Sequence, residues 1–499
     1  MGSASSWKGG VTALVVAATT AVLFWFGNGL DPWWPLMWLA PLPVLWFALR
    51  RSWWVAGLTT VAGWLAGCFN LWGYFHRVGL PFAAWLSIFG AVALVAAAAV
   101  LLFRALVLRG AVWSGLVAFP AAWVALEYVR NLTTPHGTAG SIAYTQLKFL
   151  PFLQLASITG PWGMSFLLLC FPAAIAIGLH LRKTAPKRAL RVVTTTAGVL
   201  AAVLVFGAIR LAMTPRGQQV RVGLIASDVP GNVTVADNGA DTSRLFASYA
   251  AEAERLAGNG AQAIVLPEKL GVVLDSENGS ADPIFQHVAD RTGATLVVGQ
   301  VHVSGAAKYN RARIYAPQQP VLSYDKQHML PPFESNLTPG TTLVTLPKHT
   351  DTWGVAICKD MDFTPLSRKY GEAGAGLMLV PGWDFNMDRN WHGHMAVMRG
   401  VEGGFSLVRA AKNGYLTVSD DRGRVVAEAR SDAAPFSTLL ASVPAVHSAT
   451  LYLLWGDWFG WLACALLAVA ISRLCWLMII ARSPRQGREE TVAPTRTLA

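Results

Sequence analysis

Residues 354–362 read Gly-Val-Ala-Ile-Cys-Lys-Asp-Met-Asp, an apolar run that ends in a cysteine and is followed at once by charged residues. A short apolar run with polar boundaries is typical of a buried β-strand. The pattern therefore predicts that Cys358 lies at the end of a strand. From position alone, its thiol is either a reactive nucleophile or a buried, inert side chain.

The polar region around Cys358 has the pattern of a layered α/β domain. Within residues 216–447, short apolar runs such as 219–227 and 262–266 alternate with stretches of helical spacing such as 242–257. Strands that alternate with helices along a chain form layered α/β folds. The sequence predicts one such domain here.

The composition of the whole chain is that of a polytopic membrane protein. Of its 499 residues, 54% are hydrophobic and only 14% are charged, whereas roughly 25% are charged in soluble domains. Runs of about 20 apolar residues can cross a bilayer. We predict eight spans, at residues 11–28, 34–49, 53–75, 82–103, 112–129, 162–181, 191–213 and 456–480. The second is the least regular, because Pro35, Pro41 and Pro43 interrupt helical hydrogen bonding.

The distribution of charge excludes nucleic acid as a partner and orients the spans. The net charge is +12, yet residues 216–447 carry 21 Lys/Arg against 23 Asp/Glu, so the basic excess belongs to the apolar part. Basic residues such as Arg50, Arg51, Arg104 and Arg109 occupy alternate loops. Because loops of this kind stay in the cytoplasm, the polar region is predicted to face the outside.

These observations divide the chain into four parts. Residues 1–215 are predicted to form a membrane domain of about seven transmembrane helices, and residues 216–447 a catalytic domain. Residues 448–481 are predicted to form a C-terminal transmembrane helix, and residues 482–499 a disordered cytoplasmic tail.

Two further strand ends carry charged side chains that chemistry at Cys358 would need. Glu268 follows the apolar residues 263–267, and Lys326 follows residues 323–325. Because strand ends converge in an α/β sandwich, the three side chains can share one pocket. A carboxylate could take the thiol proton, and an amine could stabilise an oxyanion. The alternative is that Glu268 and Lys326 are solvated charges at loop starts.

No metal is expected. His392 and His394 are two residues apart on a predicted helix, so they point to different faces, and no further His or Cys lies nearby.

The motifs around these residues resemble those of the nitrilase superfamily. Leu266-Pro267-Glu268, the run 324–328 with Pro332-Phe333-Glu334, and Ile357-Cys358 are similar in order and context to its Glu–Lys–Cys triad. Further runs resemble, more specifically, the apolipoprotein N-acyltransferases. They are residues 119–130, 144–146 and 154–163 in the membrane part and residues 391–402 in the polar region. The resemblance implies a nitrilase-like α-β-β-α sandwich outside the cytoplasm.

It also implies a reaction. An acyl chain would pass from a phospholipid to Cys358 as a thioester, and then to the α-amino group of the diacylglyceryl-modified N-terminal cysteine of a lipoprotein. Glu268 would be the general base, Lys326 would stabilise the oxyanion, and Glu334 would support them. The resemblance implies no metal or organic cofactor, a monomer, and a multi-pass location in the bacterial cytoplasmic (inner) membrane with the catalytic domain facing the periplasm or outside.

The sequence departs from the family where substrate would enter. Lys359-Asp360 replaces the usual Tyr-Glu after the cysteine, and the stretch from Glu334 to the cysteine is short for a lid. The added cation is expected to favour the thiolate. Lys359, Asp360, Trp383 and Phe385 are candidates for the lip of the site or for an acyl pocket. Two alternatives therefore stand beside acyl transfer: a membrane-tethered amidase in which water resolves the adduct, and a catalytically inactive assembly module.

Overall fold

A computed structural model describes residues 2–213, 217–348 and 351–482. The predicted disordered tail falls almost entirely on residues 483–499, which lie outside the described part of the chain.

The first part of the chain is an α-helical bundle. Its helices are α1 (Gly2–Gly27), α2 (Trp34–Met37), α3 (Leu42–Ala48), α4 (Trp53–Cys68), α5 (Trp72–Arg77), α6 (Phe82–Leu108), α7 (Val112–Thr133), α8 (Leu150–Leu153), α9 (Ala156–Leu181) and α10 (Pro186–Ala212). At the other end of the chain, α15 (Leu451–Trp455) and α16 (Trp458–Arg482) return to the bundle. Seven helices of the described residues are long and apolar enough to cross a membrane, counting α4 and α5 as one.

The predicted second span is two short helices, α2 and α3, because prolines interrupt the run. Its two ends nevertheless contact opposite ends of the bundle. Asp31, before α2, pairs with Lys148 at 3.1 Å on the side where α7 ends. Ala48, in α3, accepts a hydrogen bond of 2.9 Å from Arg104 near the end of α6. The segment therefore reaches both ends of the bundle, although it is shorter than the seven long helices and is not counted among them.

The polar region holds two β-sheets. Its elements are β1 (Gln219–Ala226), α11 (Ala240–Gly258), β2 (Ala263–Val265), β3 (Val272–Leu274), α12 (Asn278–Thr292), β4 (Thr295–Ser304), β5 (Ala307–Tyr315), β6 (Leu322–Asp325), β7 (Thr345–Pro347), β8 (Thr352–Val355), α13 (Thr364–Glu372), β9 (Ala375–Trp383), α14 (Arg389–Gly403), β10 (Ser406–Lys412), β11 (Tyr415–Ser419), β12 (Val425–Arg430) and β13 (Ser437–Pro444). One sheet has the order β13-β1-β2-β4-β5-β6, with β3 beside β4, and the other has the order β12-β11-β10-β9-β8-β7.

The two sheets face each other across a dry core, and helices cover their outer faces. Side chains such as Val222, Val265 and Leu379 fill the space between the sheets. Helices α11 and α12 pack on the first sheet, and α13 and α14 pack on the second. The predicted fold class, a membrane-embedded helical part carrying an α-β-β-α sandwich, is confirmed.

Helix α14 lies between the second sheet and the bundle. On one face of α14, Ala396 and Val397 pack against the second sheet. On the other face, Met395, Met398 and Val401 pack in the apolar core of the membrane helices. Polar contacts reinforce this junction: Arg399 donates to the Tyr144 hydroxyl at 2.9 Å and pairs with Glu402 at 2.8 Å. The sandwich is therefore packed onto the bundle rather than tethered to it.

Candidate active site

Three loops that follow strands bring Glu268, Lys326 and Cys358 to one end of the sandwich. Glu268 follows β2, Lys326 comes directly after β6, and Cys358 follows β8. Glu268 and Lys326 are buried and form an ion pair with 2.9 Å between Lys326 Nζ and Glu268 Oε1. The alternative that these two are solvated charges is therefore wrong.

A second carboxylate completes the charged cluster. Glu334 Oε2 lies 2.8 Å from Lys326 Nζ, and Glu334 Oε1 lies 2.7 Å from the amine of Lys269. Asn310, on β5, donates through Nδ2 to both Glu268 and Glu334. Two carboxylates and two amines thus balance in charge, as buried ionised groups require.

The Glu268 loop approaches β4 so closely that only glycine fits opposite it. A Cβ on Gly299 would lie 2.3 Å from the backbone oxygen of Pro267 and 2.6 Å from the Cα of Glu268. Any side chain at Gly299 would push the carboxylate out of its place beside Lys326.

Cys358 sits on a sharp turn between the sheets. Its φ is +45°, a conformation that costs a non-glycine residue energy and often marks a functional position. The thiol donates to the Trp383 carbonyl oxygen at 3.7 Å, and a guanidinium nitrogen of Arg409 lies 3.9 Å from its sulfur. Arg409 itself is held by two hydrogen bonds, of 2.6 and 2.9 Å, to the buried carboxylate of Asp384.

Asp360 was expected at the lip of the site, but it is completely buried beneath it. Its carboxylate accepts hydrogen bonds from the backbone of Ile357 at 3.1 Å, of Gln327 at 3.1 Å and of His328 at 2.9 Å, and from the Tyr324 hydroxyl at 2.7 Å. The shape of the turn directs this carboxylate inward. Asp360 therefore fixes the Cys358 turn to the chain that carries Lys326.

Lys359 is also buried rather than at the lip, because its amine turns towards the bundle and lies 3.2 Å from Nδ1 of His136, in the loop after α7. The other two lip candidates are half-buried. Trp383 supplies the carbonyl that accepts from the thiol. Phe385 contacts the exposed ring of Phe333 at 5.1 Å between centroids, which makes an apolar surface beside Glu334.

The loop of Phe385 touches the membrane helices. Asp388 accepts hydrogen bonds from the Phe385 backbone at 2.8 Å and from the Tyr74 hydroxyl of α5 at 2.9 Å. The site therefore lies against the ends of α5 and α7, at the surface where the sandwich meets the bundle.

Burial sets the protonation states of the site. Burial, followed by the negative charge of Glu268, raises the pKa of the Cys358 thiol, although Lys326 and Arg409 oppose the shift. Burial outweighs the nearby cations, so the Cys358 thiol has a raised pKa despite the neighbouring Lys359. Burial alone would lower the pKa of Lys326, but the negative charges of Glu268 and Glu334 raise it. Lys326 thus stays a cation, while Cys358 is a neutral thiol that needs a base.

Two family models match the chain in the order of its two parts. The model for the apolipoprotein N-acyltransferase N-terminal domain matches residues 10–174, within the helical bundle. The model for carbon-nitrogen hydrolases matches residues 239–445, within the sandwich. The two parts of the chain are thus similar, in this order, to the N-terminal domain of apolipoprotein N-acyltransferases and to carbon-nitrogen hydrolases.

Relatives support this similarity over most of their length. The apolipoprotein N-acyltransferase of Geobacter metallireducens is 26% identical over 392 residues, which are 72% of this chain and 74% of that protein. That of Gloeobacter violaceus is 25% identical over 529 aligned residues, covering 96% of this chain and 94% of the relative. Among solved structures, a nitrilase-superfamily amidase from Nesterenkonia is 21% identical, with a TM-score of 0.39, and covers 47% of this chain and 94% of its own. The relatives do not favour the hydrolase alternative.

The site includes residues to which the sequence had assigned no role. They are Lys269, Asn310, Asp384, Arg409 and Lys412. Lys412 is buried at the end of β10, 3.8 Å from the centroid of the Trp383 ring, and burial lowers its pKa to about 7. Its signal was present, since it ends an apolar run as Cys358 does.

Glu334 should make this protein sensitive to acid. Burial opposes ionisation, but Lys326 and Lys269 lower the pKa of Glu334 to about 2. A carboxyl group whose pKa is depressed on folding contributes stability above its unfolded pKa, and this is lost as pH falls towards the folded value. We expect the melting temperature in detergent to fall between about pH 4.5 and about pH 2, and to fall less steeply in Glu334→Gln.

The matched control is Glu372→Gln, which removes a carboxylate whose side chain is 50% exposed. This control should follow the wild-type profile. If Glu334→Gln followed the wild-type profile as well, the cluster would not be ionised as described.

Proposed function

We propose that the protein transfers a fatty acyl chain from a phospholipid, through a thioester on Cys358, to the α-amino group of the N-terminal diacylglyceryl-cysteine of a lipoprotein. The observation that carries this proposal is the buried Glu268–Lys326 pair next to a cysteine, at a site that lies directly against the membrane helices. Both substrates are lipids, and a site in this place can receive them from the bilayer.

In the first half-reaction, Glu268 takes the proton of the Cys358 thiol as the sulfur attacks the ester carbonyl of the phospholipid. The tetrahedral intermediate carries its negative charge on the former carbonyl oxygen, near the Lys326 ammonium. The C–O bond then breaks, and Glu268 returns the proton to the departing lysophospholipid. A base and a fixed cation, both prepositioned in a buried cluster, are what such a step requires.

In the second half-reaction, the lipoprotein amine attacks the thioester carbonyl and gives a proton to Glu268. The C–S bond breaks, an amide forms, and the proton passes to the Cys358 sulfur, which restores the thiol. Because burial raises the pKa of this thiol, the neutral resting form is regenerated at neutral pH. The contacts that Glu334 makes with Asn310, Lys269 and Lys326 hold the base and the cation in place during both half-reactions.

The location of the enzyme follows from the same proposal. The basic residues of alternate loops support a position of the sandwich on the outer side of a bacterial cytoplasmic membrane. The half-buried Trp383 and Phe385, with Phe333, line the approach for an acyl chain between the sandwich and α5. We propose that one chain is sufficient for activity, because one chain supplies the base, the cation and the nucleophile.

Intact mass spectrometry tests the proposal. Purified protein mixed with phospholipid micelles should gain the mass of one fatty acyl group. Addition of a peptide with a diacylglyceryl-cysteine N-terminus should discharge this adduct and acylate the peptide amine. The control peptide is the same molecule with its α-amine acetylated, which should leave the adduct in place. Equal decay with both peptides would indicate hydrolysis and would contradict acyl transfer to the amine.

A further inference from the structure

A cavity of about 300 Å³ lies at the junction between the bundle and the sandwich. Four segments surround it: the start of α9, the end of α10, the turn after β11, and the link that leads into α15. Its lining residues include Phe206, Ile209, Arg210, Met213, Arg422 and Thr450.

This cavity is separate from the candidate active site. Lys412, at the last position of β10, lies in the active site beside Trp383. Residue Leu407, near the opposite end of β10, pairs with Ser419 at the end of β11, and Arg422 lies in the turn just beyond. The cavity is therefore at the other end of the second sheet from Cys358.

One wall of the cavity is apolar and belongs to a membrane helix. Phe206 and Ile209 are three residues apart and share one face of α10, and Met213 directly follows the last residue of this helix. Ile209 and Met213 are 58% and 60% exposed on the protein surface. In a membrane this face offers contacts for a hydrocarbon chain.

The other wall presents two guanidinium groups. Arg210 and Arg422 both line the cavity, the first held by the Gln154 side chain and the second by Asp421 at 2.7 Å. Arg422 is 8% exposed, and its Nε is buried with no hydrogen-bond partner among the described residues. A buried guanidinium donor without an acceptor is costly. Two arginines of like charge beside one space favour an anion between them.

We propose that this cavity binds one anionic phospholipid, with its phosphate at Arg210 and Arg422 and an acyl chain along Phe206, Ile209 and Met213. Charge complementarity selects the headgroup, and the apolar face of α10 selects a lipid over a soluble anion. The bound lipid would contact the bundle through α10 and the sandwich through Arg422. The inference does not depend on the proposed acyl transfer, because it uses no residue of the Cys358 site.

Photo-crosslinking tests the site with a defined probe. Cys358→Ala protein, which cannot form a thioester, is reconstituted with phosphatidylglycerol that carries a photoreactive acyl chain, and labelled peptides are mapped. We expect labels on the segment 206–213, about tenfold stronger than with phosphatidylcholine of the same chain, as expected for a charge-assisted contact.

Two variants and one control decide the result. Arg422→Gln removes the buried donor, and Phe206→Trp fills the cavity while keeping both arginines. Each should reduce labelling of this segment by about tenfold. Arg430→Gln removes an arginine that is exposed and paired with Asp432, and it should label as the parent protein does.

Equal labelling with both headgroups, unchanged in both variants, would overturn the proposal. Such a result would mean that the label comes from lipids that surround the protein without specific binding. Stabilisation of the protein by inorganic phosphate, with no lipid label in the segment, would also overturn it and would indicate a site for a free anion.

Discussion

Replacing Cys358 with alanine is expected to reduce acyl transfer by about 10⁵-fold, because loss of the nucleophile of a covalent mechanism costs about as much as loss of the whole catalytic group. The acyl adduct on the protein should disappear in the same experiment. The thiol is held on a strained turn, within 3.9 Å of an Arg409 nitrogen, and no other thiol lies in the sandwich. Measurement of peptide acylation over several hours gives the residual rate.

Cys170→Ala is the matched control, since it removes a buried thiol from α9 in the bundle. It should leave the acylation rate within about twofold of wild type, because truncation of a small buried side chain costs stability rather than chemistry. If Cys358→Ala kept a rate within tenfold of wild type, a direct transfer without a thioester would replace the proposed mechanism.

Replacing Lys326 with methionine should damage both activity and stability. Two buried carboxylates, Glu268 and Glu334, share this amine at 2.9 and 2.8 Å. Removing one partner from a buried ion cluster leaves uncompensated charge and costs about 3–5 kcal/mol. Loss of the cation beside the oxyanion should also lower the turnover rate by about 10²–10³-fold. Thermal unfolding in detergent and peptide acylation measure the two effects.

Lys308→Met provides the comparison, because Lys308 is an exposed lysine on the same strand as Asn310. Its melting temperature should match wild type, since exposed substitutions usually change stability by less than about 0.5 kcal/mol. The double variant Lys326→Met, Glu334→Gln should recover stability but not activity, because it removes one unpaired charge without restoring the cation. Recovery of activity would show that Lys326 serves only to neutralise Glu334.

The parts of the site that the sequence could predict share one signal. Glu268, Lys326 and Cys358 each follow a predicted strand, and strand ends converge in a sandwich whatever its details. Their catalytic roles remain a prediction. What the sequence could not supply was the pairing between distant elements. Asn310 meets both carboxylates only because β5 pairs with β6, and no local pattern records that register.

Local sequence patterns also gave wrong predictions where the outcome depends on the direction in which a side chain points. Lys359 and Asp360 follow the nucleophile and are charged, so exposure at a lip was a reasonable expectation. The tight turn at Cys358 directs Asp360 to the backbone of Gln327 and His328, which its own sequence neighbourhood does not contain. In the bundle, hydropathy predicted eight spans, of which seven correspond to long apolar helices of the described residues, while proline divided residues 34–49 into two short helices.

Helix α14, whose faces serve both the sheet and the bundle, limits what can be done with the sandwich alone. Excised as residues 217–447, it would present Met395, Met398 and Val401 to water, and these three side chains are otherwise at most 2% exposed. An apolar stripe of that kind promotes self-association. Attempts to make the hydrolase-like half as a free-standing reagent should therefore yield aggregates, and screening for inhibitors will need the full-length protein in detergent or lipid.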